Sequence, residues 1–136
     1  FHSIESFQDY FDYYWSHAKK FATNIENQKN SIQRIVEYID HHYHEDINRS
    51  ILADMVYLSA DHLARIFKKE TGETLVKYIT DKRINAAKSL LSQTNISISQ
   101  VSCQVGYDNY SYFTKIFKQR TGLSPGDYRK TYQNKM

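Results

Sequence analysis

The chain of 136 residues contains 4 glycines, 1 proline and 1 cysteine. Turn-rich β-sandwiches and barrels need far more glycine and proline to punctuate their strands, so the expectation is all-α. A single cysteine, Cys103, excludes an internal disulfide and any cysteine-cluster metal site. It fits a reducing compartment, and the expected location is cytoplasmic. No run of about 18 apolar residues exists, so no membrane contact is expected of this segment. A basic n-region followed by an apolar h-region is missing as well. Charge of one sign is also scarce: 18 Lys and Arg oppose 15 Asp and Glu, a net +3. That excludes a polycationic tail, but not a nucleic-acid partner, for which a few cations on one face suffice. What the chain does have is aromatic bulk, with 12 Tyr, 7 Phe and 1 Trp. A first residue of Phe1 instead of Met is expected of a piece of a longer protein.

The charge is unevenly placed. Residues 1–30 carry 3 cations and 4 acids, whereas residues 105–136 carry 6 cations and 2 acids. Apolar residues at Ile4, Phe7, Phe11, Tyr14, Ala18, Phe21 and Ile25 alternate steps of three and four, a heptad pattern. One reading is a coiled-coil or signalling helix that couples an upstream domain to this one and pairs two copies. The other is a helix that lays an aromatic stripe on a neighbouring domain. The polar run Asn24–Ser31 then reads as a linker or a helix break.

From residue 31 the periodicity predicts seven short helices. Ser31 is the expected cap of the first, with Ile32, Ile35, Val36, Ile39 and Tyr43 on one face. Asn48 caps a second carrying Ile51, Leu52, Met55 and Val56, and Ser59 a third carrying Leu63, Ile66 and Phe67 and stopped by Gly72. Thr74 opens a long fourth helix that reaches about Gln93. Ser97 and Gln100 have capping-box spacing for the fifth. Asn109 starts a sixth with Phe113, Ile116 and Phe117, stopped by Gly122; Ser124-Pro125 starts a seventh.

The chain also repeats itself at an offset of 50 residues. Residues 51–72 read ILADMVYLSADHLARIFKKETG and residues 101–122 read VSCQVGYDNYSYFTKIFKQRTG. Tyr57/Tyr107, Ile66/Ile116, Phe67/Phe117, Lys68/Lys118, Thr71/Thr121 and Gly72/Gly122 are identical. Each copy is helix, turn, longer helix, glycine, the shape of a helix-turn-helix. Two packing hairpins would explain the shared apolar positions. They would not explain the basic residues at the outward positions 65, 68, 115 and 118 of both copies. The spacer helix, 74–93, would be about 30 Å long, close to the ~34 Å between successive major-groove faces of B-DNA. One chain could then read two adjacent grooves without a palindrome.

These segments resemble the C-terminal DNA-binding domain of the AraC/XylS-type bacterial transcription regulators. The resemblance covers about residues 31–132 and is carried by LSADHLARIFKKETG at 58–72, YITDKRINAAKSLL at 78–91 and VGYDNYSYFTKIFKQRTGLSPGDYRK at 105–130. It also looks like the form fused to response-regulator receivers. It implies an all-α fold of seven short helices in two helix-turn-helix subdomains, 31–73 and 94–136, joined by the spacer 74–93. Residues 1–30 lie outside it, as a helical linker or signalling segment. Cys103 stands where the family usually has alanine and is expected to be a buried, inert thiol.

The resemblance implies Asp61, Ala64 and Arg65 as base-facing on the third helix, and Ser111, Tyr112 and Lys115 on the sixth. Arg65 can donate twice to a guanine edge, and Ala64 can touch only a thymine methyl. Tyr110, His62 and Thr114 flank these positions, and the helix starts at Ser59 and Asn109 can present backbone N–H groups to phosphate. Lys68, Lys118, Arg120, Arg129 and Lys130 are candidate phosphate neutralisers, each equally readable as a solvated surface charge. Arg83, in mid-spacer, is expected to bind a carboxylate or carbonyls between the subdomains. His41 and His44 have i, i+3 spacing, but no third ligand is placed, so neither metal nor cofactor is expected. With no nucleophile–base pair and no phosphate-cradling glycine loop, an enzyme is not expected either. The expectation is a sequence-specific double-stranded DNA-binding regulator, an activator that contacts RNA polymerase, as the resemblance implies. It can pair with a second copy through residues 1–30 or an upstream domain. The alternative is a helical protein-interaction module.

Overall fold

The computed structural model describes Asp12, Trp15 and residues 26–133. The heptad positions Ile4 to Ile25 lie outside these residues. Among the described residues there are seven helices and no strand. They are α1 (residues 26–42), α2 (Arg49–Met55), α3 (Ala60–Thr71), α4 (Leu75–Gln93), α5 (Ile98–Gln104), α6 (Tyr110–Thr121) and α7 (Pro125–Tyr132). Helix α1 corrects one expectation. It runs unbroken through residues 26–31, so Ser31 is not its cap and the polar run is not a break there. The run contains no glycine or proline, and Glu, Gln and Lys are good helix formers, so polarity alone does not end the helix. A domain boundary between residues 30 and 31 would fall inside it.

The other helix starts follow the expected chemistry. Asn48, Ser59, Thr74, Ser97, Asn109 and Ser124 are all N-caps whose side chains accept a backbone N–H from the first turn. Each such cap is worth about 1 kcal/mol. Ser97 and Gln100 complete a reciprocal capping box. Helices α3 and α6 end alike. Gly72 and Gly122 both take φ 83°, and the preceding threonine hydroxyls donate back to Phe67 and Phe117 carbonyls at 2.7 and 2.9 Å.

Two hydrophobic cores result. Ile32, Ile35, Ile39, Leu52, Val56, Leu63, Ile66, Phe67 and Leu75 close the first. Ile84, Ala87, Leu91, Val101, Val105, Tyr107, Phe113 and Phe117 close the second. Helix α4 belongs to both, giving its N-terminal turns to one core and its C-terminal half to the other. Polar contacts fix it at each end. Tyr78 Oη donates to Asp40 Oδ1 at 2.8 Å, and Lys82 Nζ pairs with the same carboxylate at 3.1 Å. Near the far end, Arg129 Nε donates to the Leu91 carbonyl at 3.1 Å. That carbonyl is among the last four of the helix, which have no partner within it.

The repeat has a one-residue slip. N-caps Asn48 and Ser97 are 49 residues apart, whereas Ser59 and Asn109 are 50 apart. Equivalent turn hydrogen bonds agree: Leu58 N donates to Ala53 O at 3.0 Å, and Tyr107 N to Ser102 O at 2.9 Å. The second turn holds one more residue. Tyr57 is thus the counterpart of Gly106, both with positive φ (58° and 109°), and not of Tyr107. Their surroundings agree with this: Tyr57 is 92% exposed and Tyr107 only 7%. The slip also corrects Cys103. The small buried position is Ser102, whose hydroxyl donates to the Tyr107 carbonyl at 2.9 Å, and Cys103 is exposed. Ile51, expected on the apolar face of α2, is likewise exposed.

A Cβ added at Gly72 or Gly122 meets nothing within 4 Å, whereas at Gly106 it would lie 2.9 Å from Arg83 Nε and 3.1 Å from the His44 carbonyl oxygen. Gly72→Ala and Gly122→Ala should therefore each cost only the left-handed backbone penalty, about 1–2 kcal/mol. Gly106→Ala should add an overpacking cost of about 1–3 kcal/mol. Urea denaturation of the three variants checks the order; equal losses would contradict it.

Candidate nucleic-acid interface

Helices α3 and α6 are each 12 residues long. Each turns its apolar side inward, through Leu63, Ile66 and Phe67 in α3 and through Phe113 and Phe117 in α6. What remains outside on α3 is Asp61, Arg65 and Lys68, with His62 and Ala64 half-buried at the edge. On α6 it is Tyr110, Ser111, Tyr112, Lys115 and Lys118, with Thr114 half-buried and its hydroxyl donating to the Tyr110 carbonyl at 2.9 Å. Tyr110 and Tyr112 are 47% and 52% exposed, large apolar rings left in water on the outward side of a helix. Tyr112 also touches Tyr107, with ring centroids 5.9 Å apart. It is anchored at one edge and open at the other. Ser59 and Asn109 use their side chains as caps, donated to by His62 N and Tyr112 N at 3.1 and 2.9 Å.

Two concave surfaces join these helices. A hollow of about 410 Å³ is lined by Arg49, Ala64, Arg65, Lys68, Thr74 and Val76 among others. A second, of about 320 Å³, has Asn48, Arg49, Val76, Thr80 and Tyr112 in its wall. Arg49 and Val76 line both, so the α3 face and Tyr112 of α6 open onto a connected groove. Sequence reasoning missed Arg49, Thr74 and Val76 as members of this face. One signal was available for Arg49. It occupies the first turn of α2, which has no acidic residue, and a cation there opposes the helix dipole. Val76 is 63% exposed, and sequence carried no signal that it borders both hollows.

Three cations on and around α4 are paired. Lys77 lies 3.1 Å from Glu73 and 2.7 Å from Asp81, and hydrogen bonds to Asp81 and then Glu73 hold its ammonium above its usual pKa. Lys82 is raised in the same direction by its bond to Asp40, and Arg120 pairs with Asp81. Among the described residues, Arg49, Arg65, Lys68, Lys115 and Lys118 stand in no ion pair. Of these, Arg49, Arg65 and Lys68 line the first hollow.

Two of the expected phosphate neutralisers separate from this set. Arg120 is bound to Asp81. Arg129 is half-buried, with Nε on the Leu91 carbonyl and Nη2 buried away from solvent. It serves the C-terminus of α4. The reason was not legible in sequence, since it depends on where α7 lands.

Two matched helix-turn-helix units on one grooved, cation-bearing face meet the comparison with known proteins. A family model described as a helix-turn-helix domain matches residues 52–131. The chain belongs to the AraC/XylS-type helix-turn-helix family. This AraC-type domain is 41% identical over 99 residues to the bifunctional transcriptional activator/DNA repair enzyme AdaA of Bacillus subtilis, covering 73% of this chain and 47% of that protein. The C-terminal domain of AraT, a response regulator from Geobacillus stearothermophilus, superposes with a TM-score of 0.75 at 31% identity, over 77% of this chain and 88% of that one. The DNA-binding domain of AdpA, a global transcriptional factor in complex with a target DNA, superposes with a TM-score of 0.71 at 26% identity, over 74% and 91%. The AraC-type domain spans less than two thirds of the length of the curated relatives it matches. No helix among the described residues is long and apolar enough to cross a membrane.

Arg129→Ala and Lys118→Ala should part company in two measurements. The first loses a hydrogen bond to a buried carbonyl, about 1–3 kcal/mol of folding stability, with little change in the salt dependence of anion binding. The second should leave urea stability within about 0.5 kcal/mol and lower the magnitude of the salt slope by about 1. The reverse pattern would return Arg129 to the binding face.

Proposed function

We propose that the chain is the sequence-specific, double-stranded DNA-binding domain of a transcription regulator, inserting α3 and α6 into adjacent major grooves. The observation that carries this is the outward side of the two matched helices: among the described residues, Arg65 and Lys68 on α3 and Lys115 and Lys118 on α6 stand in no ion pair, Tyr110 and Tyr112 of α6 are exposed, and Arg49 of α2 shares a hollow with Arg65 and Lys68. Likeness to a domain solved on its target DNA supports the reading. Helix α4 has 19 residues, about 28 Å at 1.5 Å per residue. That length suits two helices that enter one face of the duplex a helical turn apart, ~34 Å.

In this reading Arg65 and Lys115 are the principal base readers. Asp61 accepts from a cytosine amine or orients Arg65, and Ala64 meets a thymine methyl. Ser111, Tyr110 and Tyr112 contact sugars, methyls and phosphate. Arg49, Lys68 and Lys118 neutralise phosphate, which positions the domain without reading sequence. The domain binds and does no chemistry. A role as an activator that touches RNA polymerase is part of the proposal, supported by the activator named among its relatives. So is pairing of two copies through residues 1–30. Sedimentation with and without that segment checks the pairing, and a monomer in both cases removes it.

Three neutralised phosphates should give a slope of about −3 for log K against log[salt]. Titration of a selected duplex at several salt concentrations checks this, and a flat dependence would favour a protein-interaction module. Arg65→Ala and Lys115→Ala should each cost about 1–3 kcal/mol and relax specificity in one half-site only. Footprints of the two variants should fade at opposite ends; loss at both ends in either variant contradicts the assignment.

A further inference from the structure

Arg83 sits near the middle of α4, half-buried. Its Nε donates to the Tyr43 carbonyl at 2.6 Å, and Nη2 donates to the Glu45 carbonyl at 2.9 Å. Both carbonyls belong to the turn that follows α1, in the first unit. The same guanidinium lies over the ring of Tyr107, 5.1 Å from its centroid, and Tyr107 is part of the second core. The second unit's turn approaches so closely that Gly106 has no room for a Cβ beside Arg83. One planar cation thus touches a turn of each unit.

The neighbouring contacts differ in this respect. Asp40 with Tyr78 and Lys82 ties α4 to the first unit only. Asp81 with Arg120 ties it to the second only. A stiff helix fixes the distance between two units along its axis and each unit's core seats it on that helix; a contact that bridges the units adds to the resistance against their rotation about the axis. A rigid fork held by two carbonyls and a ring resists rotation in a way a lysine point charge does not. Tyr107 in turn contacts Tyr112, so the contact continues into the outward face of α6.

We propose that Arg83 is a positioning residue that sets the angle between α3 and α6, and thereby the number of base pairs tolerated between the two DNA half-sites. The proposal rests on the DNA-binding reading above. One added base pair turns the far half-site by about 35° and moves it ~3.4 Å. A clasped pair of units cannot follow that displacement, and an unclasped pair can.

The test uses the full chain and duplexes obtained by selection from random DNA. Binding is measured by anisotropy at the selected spacing, with one base pair inserted or deleted, and on a duplex that keeps only the half-site read by α3. The unaltered protein should lose at least about tenfold for each change in spacing. Arg83→Gln should flatten that profile to within about threefold, with single-half-site affinity within about twofold of the parent. Arg83→Lys, which keeps the charge and loses the fork, should flatten it too. Circular dichroism checks folding, and Tyr107→Leu, which removes the ring but stays apolar, carries the test should the arginine variants unfold. Variants with the parent's spacing profile overturn the clasp. A parent protein with no spacing optimum overturns the two-groove reading itself.

Discussion

Leu75 enters one hydrophobic core, and Ile84, about 14 Å further along the same helix, enters another. Everything else in the fold follows from that shared helix. Neither unit has a complete core without α4, and α4 alone has no continuous apolar stripe on which to fold. Leu75, Tyr78 and Ile79 serve α1–α3, while Ile84, Ala87 and Leu91 serve α5–α7. The helix is consequently stiffened from both ends by burial. Its remaining sides are held by ion pairs and by the Leu91 carbonyl, which accepts from Arg129. Helices α3 and α6 thus come to be carried by one shared helix.

Charge supports that geometry through where it is neutralised. The net excess is small, yet it is not spread evenly over the surface. Acids are gathered against α4, where Asp40, Glu73 and Asp81 hold Lys77, Lys82 and Arg120. Among the described residues, Arg49, Arg65 and Lys68, which line the first hollow, stand in no ion pair, and a nearly neutral protein can thus keep unneutralised cations where an approaching polyanion meets them.

Much of the fold could be read from residues with a local physical meaning. Caps, the two left-handed glycines and the apolar spacing placed α2 to α7 closely, because those signals depend only on neighbours in sequence. The failures were of another kind. The resemblance puts Cys103 at a small buried position, which Ser102 in fact holds, and the extra residue in the second turn is invisible to a repeat read at a constant offset of 50. The start of α1 was set by polarity, although nothing in residues 26–31 breaks a helix. Of the site, the outward positions on α3 and α6 were legible from periodicity together with the family resemblance. Arg49 and Val76 were not, since the groove exists only once α2 and α4 have packed beside α3. The hydrogen bond of Arg129 was not legible for the same reason: its partner is 38 residues away.

The one-residue slip leaves the chain with a single thiol, exposed on α5 and outside the residues that line the groove. A free, solitary sulfur on a helix beside α6 is an attachment point for a fluorophore or spin label. A probe there would sit on the second unit alone. It would report on the surroundings of that unit in the unaltered sequence, without first removing or adding a cysteine.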